Sequence, residues 1–450
     1  MIHQYKLAGR NIVIDTNSGA VHLVDELAYD AIARHESLSP DALLAELATL
    51  HPTVEQGELA GVAADIAALK AAGQLFAPDD PYRDLASQVK RRGEVKALCL
   101  HVAHTCNLTC AYCFAREGQY YGDQALMSLD VGKQALDFLL QNSGERRNLE
   151  VDFFGGEPLL NWDVVKELVA YGRSQEAAYD KQFRFTLTTN GMLLDDEVIE
   201  FTNREMENVV LSLDGRREVH DYFRKSSAGQ GSYDVVVPKF QELVRRRTGG
   251  NYYIRGTYTK RNLDFVEDVL HMTGLGLSEL SLEPVVGPSD DPFAIRAEDL
   301  PQIFEQYERL VNEMAARRGT ERAFSFYHYT LNLDHGPCVH KRLVGCGAGT
   351  EYLAVTPWGE LFPCHQFVGD AAYSMGDVWQ GVTNTVALEE LAACTVYSRL
   401  ACEGCWARLF CGGGCAANAY HVSGSVQGID AVGCEMFRKR LECAIVLQTL

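Results

Sequence analysis

From Val95 onward, apolar and polar positions repeat as a unit: a short apolar run, then a longer stretch with apolar residues three or four apart. The runs predict strands at Val95–Val102, Leu149–Phe154, Phe183–Thr189, Val209–Asp214, Tyr252–Tyr258 and Leu277–Val286. The stretches between predict helices, among them Leu129–Gln141 behind Ser128 as N-cap, Asp163–Tyr179 and Tyr233–Arg246. Six strand–helix units with short apolar strands predict an α/β fold, a partial (β/α)6 barrel over residues 94–320 closed by a helix near Pro301–Ala316. Active sites of such sheets sit at the C-terminal ends of the strands.

The first residues keep a different rhythm. Alternation at Gln4–Leu7 and Asn11–Asp15 around Gly9, then a turn at Asn17-Ser18-Gly19 into Ala20–Leu23, predicts three short strands. Amphipathic helices follow near Asp25–Arg34, Pro40–Leu50 and Val54–Ala72. This suggests a winged-helix-like module over residues 1–80, or an extension packed on the body. The polar, charged stretch Pro81–Gly93 reads as a linker, and residues 321–450 form a cysteine-rich tail.

Composition narrows the chemistry. The 450 residues allow two or three domains, and the formal charge of −20 argues against nucleic acid, which needs clustered Lys and Arg. No segment has the apolar length to cross a bilayer, and Met1–Arg10 lacks a signal-peptide pattern, so a cytoplasmic location with no membrane partner is expected. Fourteen cysteines in such a chain fit a disulfide framework poorly and metal or cluster ligation well. Ten of them fall at or after Cys338.

Cys106, Cys110 and Cys113 form CxxxCxxC on the loop after the first barrel strand. Three thiolates on one loop can bind three irons of a cubane and leave the fourth open. A structural zinc would want a fourth ligand, and His101 and His104 are near enough to keep zinc as the alternative. Phe154-Gly155-Gly156-Glu157-Pro158 ends the second strand. Ser212-Leu213-Asp214-Gly215, with His220, Asp221 and Arg224, ends the fourth.

Together these motifs resemble the radical S-adenosylmethionine (radical SAM) superfamily over roughly Val95–Gly287. The resemblance implies a catalytic 4Fe–4S cluster on Cys106, Cys110 and Cys113, with Tyr112 before the last cysteine. It implies that Gly155 and Gly156 let the backbone approach the methionine part of S-adenosylmethionine and that Glu157 meets its ammonium. Ser212 would touch the ribose, Arg224 the carboxylate and Val286 the adenine, with Thr188 and Asn190 as further pocket residues or plain strand caps.

The tail resembles the SPASM extension: Cys346, Gly359 and Cys364, then Cys402-x2-Cys405-x5-Cys411-x3-Cys415, then Cys434. That resemblance implies two auxiliary 4Fe–4S clusters, three in all. Cys402, Cys405, Cys411 and Cys434 would hold one, and Cys346, Cys364 and Cys415 the other. The second set is one ligand short, so either Cys338 completes it or an iron stays open. Cys99, Cys394 and Cys443 fit no pattern and read as buried apolar thiols.

The opening, Met1-Ile2-His3-Gln4 and Asn11–His22, resembles the SCIFF maturases, which install thioether bridges in a small cysteine-rich peptide. The implied partners are a precursor peptide whose leader binds the N-terminal module and a low-potential electron donor of flavodoxin or ferredoxin type. The rival readings are a sulfatase-maturing or other SPASM peptide-modifying enzyme and, from another class, a non-catalytic iron–sulfur electron carrier. A carrier would have no use for the motifs at Gly155–Glu157 and Ser212–Arg224.

Overall fold

The alternation in the first residues builds a three-stranded antiparallel sheet: β1 (Ile2–Leu7), β2 (Arg10–Asp15) and β3 (Val21–Val24). The computed structural model describes residues 1–78, 82–88, 94–115, 118, 120, 122–288, 290–333 and 339–450. Ala8 and Gly9 both take positive φ, 49° and 71°, in the two-residue turn between β1 and β2, as the twist of a tight hairpin requires. Helices Glu26–Arg34, Pro40–Leu50 and Gln56–Ala71 follow, the first two capped by the Asp25 and Ser39 side chains. Val13 faces them, in a core with Leu27, Leu47, Leu59 and Ile66.

The other face of that sheet is covered too. Tyr5, Leu7, Ile12 and Ile14 belong to the principal core, and β1 lies against the C-terminal helix Ala431–Thr449. Tyr5 Oη donates to the Glu442 carbonyl at 2.9 Å, and the His3 ring stacks on Trp406 at 3.8 Å. The stretch therefore has a core of its own and is also packed on the body. Part of the expected linker is helical, Arg83–Gln88, because Tyr82 and Ala86 sit one turn apart and pack with Val344, Val396 and Leu409. Residues 81 and 89–93 of that linker, and residues 79–80 before it, lie outside the described residues.

All six apolar runs of the central region are strands: β4 (Ala97–His104), β6 (Asn148–Gly155), β7 (Gln182–Thr189), β8 (Met206–Ser212), β9 (Asn251–Tyr258) and β10 (Glu279–Pro284). Between the first two, β5 (Ala125–Leu126) straps antiparallel across the end of β4. The six pair parallel in chain order, and β11 (Ser325–Phe326) extends them beyond β10. Leu149, Val151 and Phe153 of β6, and Phe183, Phe185 and Leu187 of β7, are buried on the helix side. The residues between them face the inside of the sheet. Helix Leu300–Arg317 packs on the C-terminal helix.

The tail does not begin where composition put it. β12 (Tyr352–Val355) pairs parallel with the free side of β4, from Tyr352 opposite Ala97 to Val355 opposite Leu100. Then β13 (Glu360–Phe362), β14 (Gly376–Asp377) and β15 (Gly381–Val382) continue antiparallel, so the barrel sheet runs on into residues expected to form a separate unit. Strands of two to four residues are too short for alternation to announce them. Gly359 turns β12 into β13 at φ 86°, where a Cβ would fall 2.5 Å from the Trp379 ring. No helix among the described residues is long and apolar enough to cross a membrane.

Candidate functional site

The loop after β4 is tied down by backbone. Thr109 N donates to the Lys225 carbonyl at 2.7 Å and Ala111 N to that of Phe223 at 3.0 Å. This presents Cys106, Cys110 and Cys113 to a cavity of about 210 Å³, far beyond the roughly 10–15 Å³ that one water needs. Tyr112, Gly155, Gly156, Thr188, Asn190, Ser212, Arg224 and Val286 line the same cavity. Residues from β6 to β10 meet there, so the sheet curves around it. Asn190 Nδ2 reaches Asn107 Oδ1 at 2.7 Å and Cys106 Sγ at 3.6 Å. Burial pushes the Cys106 thiol up to about 11 and the Cys110 thiol up to about 12, the latter against the pull of Arg224. Thiols so placed ionise readily only when a bound cation stabilises the thiolate, and three on one cavity wall suit the irons of a cluster.

His101 and His104 do not join them. The His101 Nδ1 and His104 Nε2 atoms meet at 3.0 Å beside Tyr120, off the cysteine cavity. Burial and the neighbouring ring hold His101 well below the usual histidine range. Among the described residues no three His, Cys, Asp or Glu side chains gather around a single-ion position.

The glycine motif is placed as expected but for another local reason. A Cβ on Gly155, at φ 123°, would lie 2.3 Å from the Ala103 carbonyl oxygen, and one on Gly156 2.0 Å from that of Thr105. The glycines let the β6 end close on the root of the cysteine loop. Glu157 differs from the sequence reading: its side chain is fully buried and does not line the cavity. Its Oε1 accepts from Leu159 N at 3.0 Å and Thr189 Oγ1 at 2.8 Å, and its Oε2 from Asn190 N at 2.8 Å. The carboxylate staples the end of β6 to the end of β7. Burial nonetheless raises it to about 7.

Asp214 was the residue missed. Fully buried, it receives Arg224 Nε at 3.0 Å and Nη2 at 3.2 Å, Tyr112 Oη at 2.7 Å and Thr257 N at 3.0 Å. One carboxylate thus joins the cysteine loop, β9 and Arg224. Burial works against the Arg224 charge, and Asp214 more than reverses it, so this guanidinium is held well above its ordinary value. His220 lies behind. Ser232 Oγ donates to the Arg224 carbonyl at 2.7 Å and so accepts from His220 Nε2 at 2.9 Å, while Asp214 N points at His220 Nδ1 at 3.3 Å. The sequence placed Asp214 in the Ser212–Gly215 motif but gave it no role of its own.

In the tail, Cys402, Cys405, Cys411 and Cys434 line one cavity together, flanked by Arg408 and Arg438. Burial lifts Cys411 to about 12 and Cys434 to about 11. Cys434 opens the C-terminal helix behind Asp430, whose carboxylate caps Gly433 N at 2.9 Å. Cys346, Cys364 and Cys415 are electrostatic neighbours, Cys364 buried just past β13 and the other two exposed. Cys338 lies outside the described residues. Cys99, Cys394 and Cys443 are buried as expected, but the surroundings of Cys394 are not apolar. Arg399 donates to its sulfur from Nη2 at 2.9 Å and from Nε at 3.3 Å.

Residues 100–268 match the Radical SAM superfamily. That superfamily implies S-adenosylmethionine and a 4Fe–4S cluster, and the cavity with its three thiols fits both. The radical SAM cyclopropyl synthase TigE of Paramaledivibacter caminithermalis is 20% identical, over 78% of this chain and 74% of its own. Two solved structures share the fold. Native anSMEcpe, with bound AdoMet and the Kp18Cys peptide, has a TM-score of 0.64 at 18% identity, covering 79% of this chain and 99% of its own. Streptococcus suis SuiB bound to S-adenosylmethionine has a TM-score of 0.55 at 16% identity, covering 96% and 98%.

Proposed function

We propose that this radical SAM superfamily enzyme closes thioether bridges, cysteine sulfur to carbon, within a ribosomally made cysteine-rich precursor peptide, as the resemblance to SCIFF maturases implies. The observation that carries the reading is the pairing of an open three-thiol cavity in the barrel with a four-thiol cavity in the tail.

Cys106, Cys110 and Cys113 would hold a 4Fe–4S cluster, which with S-adenosylmethionine would supply radical hydrogen abstraction from a peptide carbon. The chain's own residues set the geometry. Tyr112, fixed through Asp214, holds the loop. Ser212 and Val286, both on the cavity wall, would face the ribose and adenine, and the backbone of Gly155 and Gly156 would border the methionine end. Arg224 holds Asp214 through Nε and Nη2, so Nη1 would be left for the methionine carboxylate. Glu157 positions this wall from behind rather than meeting the ammonium. The walls Leu108, Phe114, Phe154 and Val285 keep water from the carbon centre.

Bond closure joins the substrate sulfur to that carbon, releases the thiol proton and leaves one electron. Cys402, Cys405, Cys411 and Cys434, and separately Cys346, Cys364 and Cys415, would hold two further clusters in the tail, which would supply an acceptor for that electron. A flavodoxin or ferredoxin type protein supplies reducing electrons. The precursor's leader adds to β3, whose one side pairs with β2 and whose other meets no strand among the described residues. Exposed Leu23 marks that strand.

The test is co-expression, under anaerobic conditions, with a short cysteine-rich peptide encoded beside this chain. Mass spectrometry should find two hydrogens lost per bridge and sulfur retained. Conversion of a cysteine to an aldehyde, with sulfur lost, would instead support the sulfatase-maturing reading.

A further inference from the structure

Alternation along β9 sends Ile254 and Tyr258 into the helix-side core and Arg255 and Thr257 to the cavity. Arg255 stands in a cross-strand row with Ser212 on one side and Ser281 on the other. Arg224 and Arg255 are the two guanidiniums among the described residues of the cavity wall, and their situations differ. Arg224 is neutralised by Asp214 across two hydrogen bonds. Arg255 is exposed, and its side chain has no ion pair or hydrogen bond to any described residue.

Glu283 is the one carboxylate among the described lining residues, and it is engaged elsewhere. Its Oε1 lies 3.0 Å from His328 Nε2, and Arg440 Nη1 lies 3.1 Å from His328 Nδ1. A guanidinium only donates, so Nδ1 accepts and Nε2 carries the proton that faces Glu283. Two guanidiniums, Arg255 and Arg440, therefore act on one carboxylate. Among the described residues the result is a local positive surplus at the cavity, in a chain whose formal charge is −20.

We propose that Arg255 anchors an aspartate or glutamate side chain of the substrate peptide, at or beside the residue whose carbon reacts. The planar fork of a guanidinium grips a carboxylate through two parallel bonds and fixes its direction as well as its charge. Arg255, next to Ser212, would hold that side chain close to the ribose end of the cavity. The proposal rests on the peptide-modifying reading above.

The test uses the reconstituted full chain and two fluorescein-labelled peptides, Gly-Cys-Gly-Asp-Gly-Gly and its asparagine counterpart, at low salt. The enzyme should bind the aspartate peptide about tenfold or more tightly, as a charge-assisted pair supports. Arg255→Gln should erase that preference and Arg255→Lys keep part of it. Equal binding of both peptides by the unaltered enzyme would overturn the anchor alone. A preference that survives Arg255→Gln would do the same. Binding of neither peptide would contradict the peptide reading and the anchor with it. Affinity for S-adenosylmethionine alone is the control: a matching loss in Arg255→Gln would assign Arg255 to the methionine carboxylate and overturn the proposal.

Discussion

Two of the cysteine sites of this molecule differ in what stands opposite the third thiol. In the barrel, Cys106, Cys110 and Cys113 come from one loop, and the rest of the wall is made of strand ends, glycines and the Asp214–Arg224 pair. In the tail, Cys402 and Cys411 sit on short helical turns with Cys405 in the connection between them, and the fourth place belongs to Cys434 from the C-terminal helix. The thiols themselves do not set the sites apart, since burial lifts Cys110 and Cys411 alike to about 12. The lesson is that function follows the vacant side. Three thiols facing polar strand ends leave room for a ligand beside them, whereas in the tail cavity a fourth thiol stands in that place.

Asp214→Asn strikes the barrel site hardest. It leaves the Arg224 charge without its buried partner, at a cost of roughly 3–5 kcal/mol. Urea unfolding should show that loss, and the equivalent exposed pair change, Asp163→Asn beside Lys166, should cost about 1 kcal/mol or less. Gly156→Ala comes next. Its Cβ would meet the Thr105 carbonyl at 2.0 Å, and roughly 1–3 kcal/mol or more is expected, with iron lost from the barrel before the tail. Gly404→Ala, inside the tail CxxC, meets nothing within 4 Å and should leave iron content and melting temperature unchanged. Equal damage from both glycines would break the contrast between a tightly closed loop root and an open turn.

A smaller effect is read from pH. Burial lowers His220 to about 4, because it sits neutral between Asp214 N and Ser232. The unfolded chain then takes up this proton first. The stability His220 contributes is present above about pH 6.5 and lost as pH falls toward 4, about 2 kcal/mol of it between pH 7 and 5. Glu157, raised by burial to about 7, acts with the opposite sign: its contribution is lost as pH rises through about 7. The comparison of the chain with His220→Gln isolates the histidine part, and the variant's urea midpoint should fall less on acidification.

Much of this was legible in the sequence. The six barrel strands are apolar on their helix side, as Phe183, Phe185 and Leu187 illustrate, and such runs betray themselves without a structure. The cysteine groupings were legible from spacing, because one loop or one helical turn keeps such residues together. Contacts between distant segments were not. The pairing of β12 with β4 depends on a four-residue strand, and the saturation of Glu157 on where β7 ends. Asp214 could be placed on a motif, yet nothing in the chain order says that Tyr112 and Thr257 converge on it. The C-terminal helix shows the same limit: Cys434 meets the tail cavity, Arg440 the barrel and Glu442 the N-terminal sheet, three contacts that chain order does not announce.

The account is tested most directly by measuring 5′-deoxyadenosine and iron together in anaerobically reconstituted protein with S-adenosylmethionine and dithionite. The variant with Cys106, Cys110 and Cys113 all changed to alanine should form no 5′-deoxyadenosine while keeping the iron of the tail. Cys405→Ala should lose tail iron and still cleave S-adenosylmethionine. Formation of 5′-deoxyadenosine by the triple variant, or its abolition by Cys405→Ala with barrel iron intact, would contradict the assignment of catalysis to the barrel site.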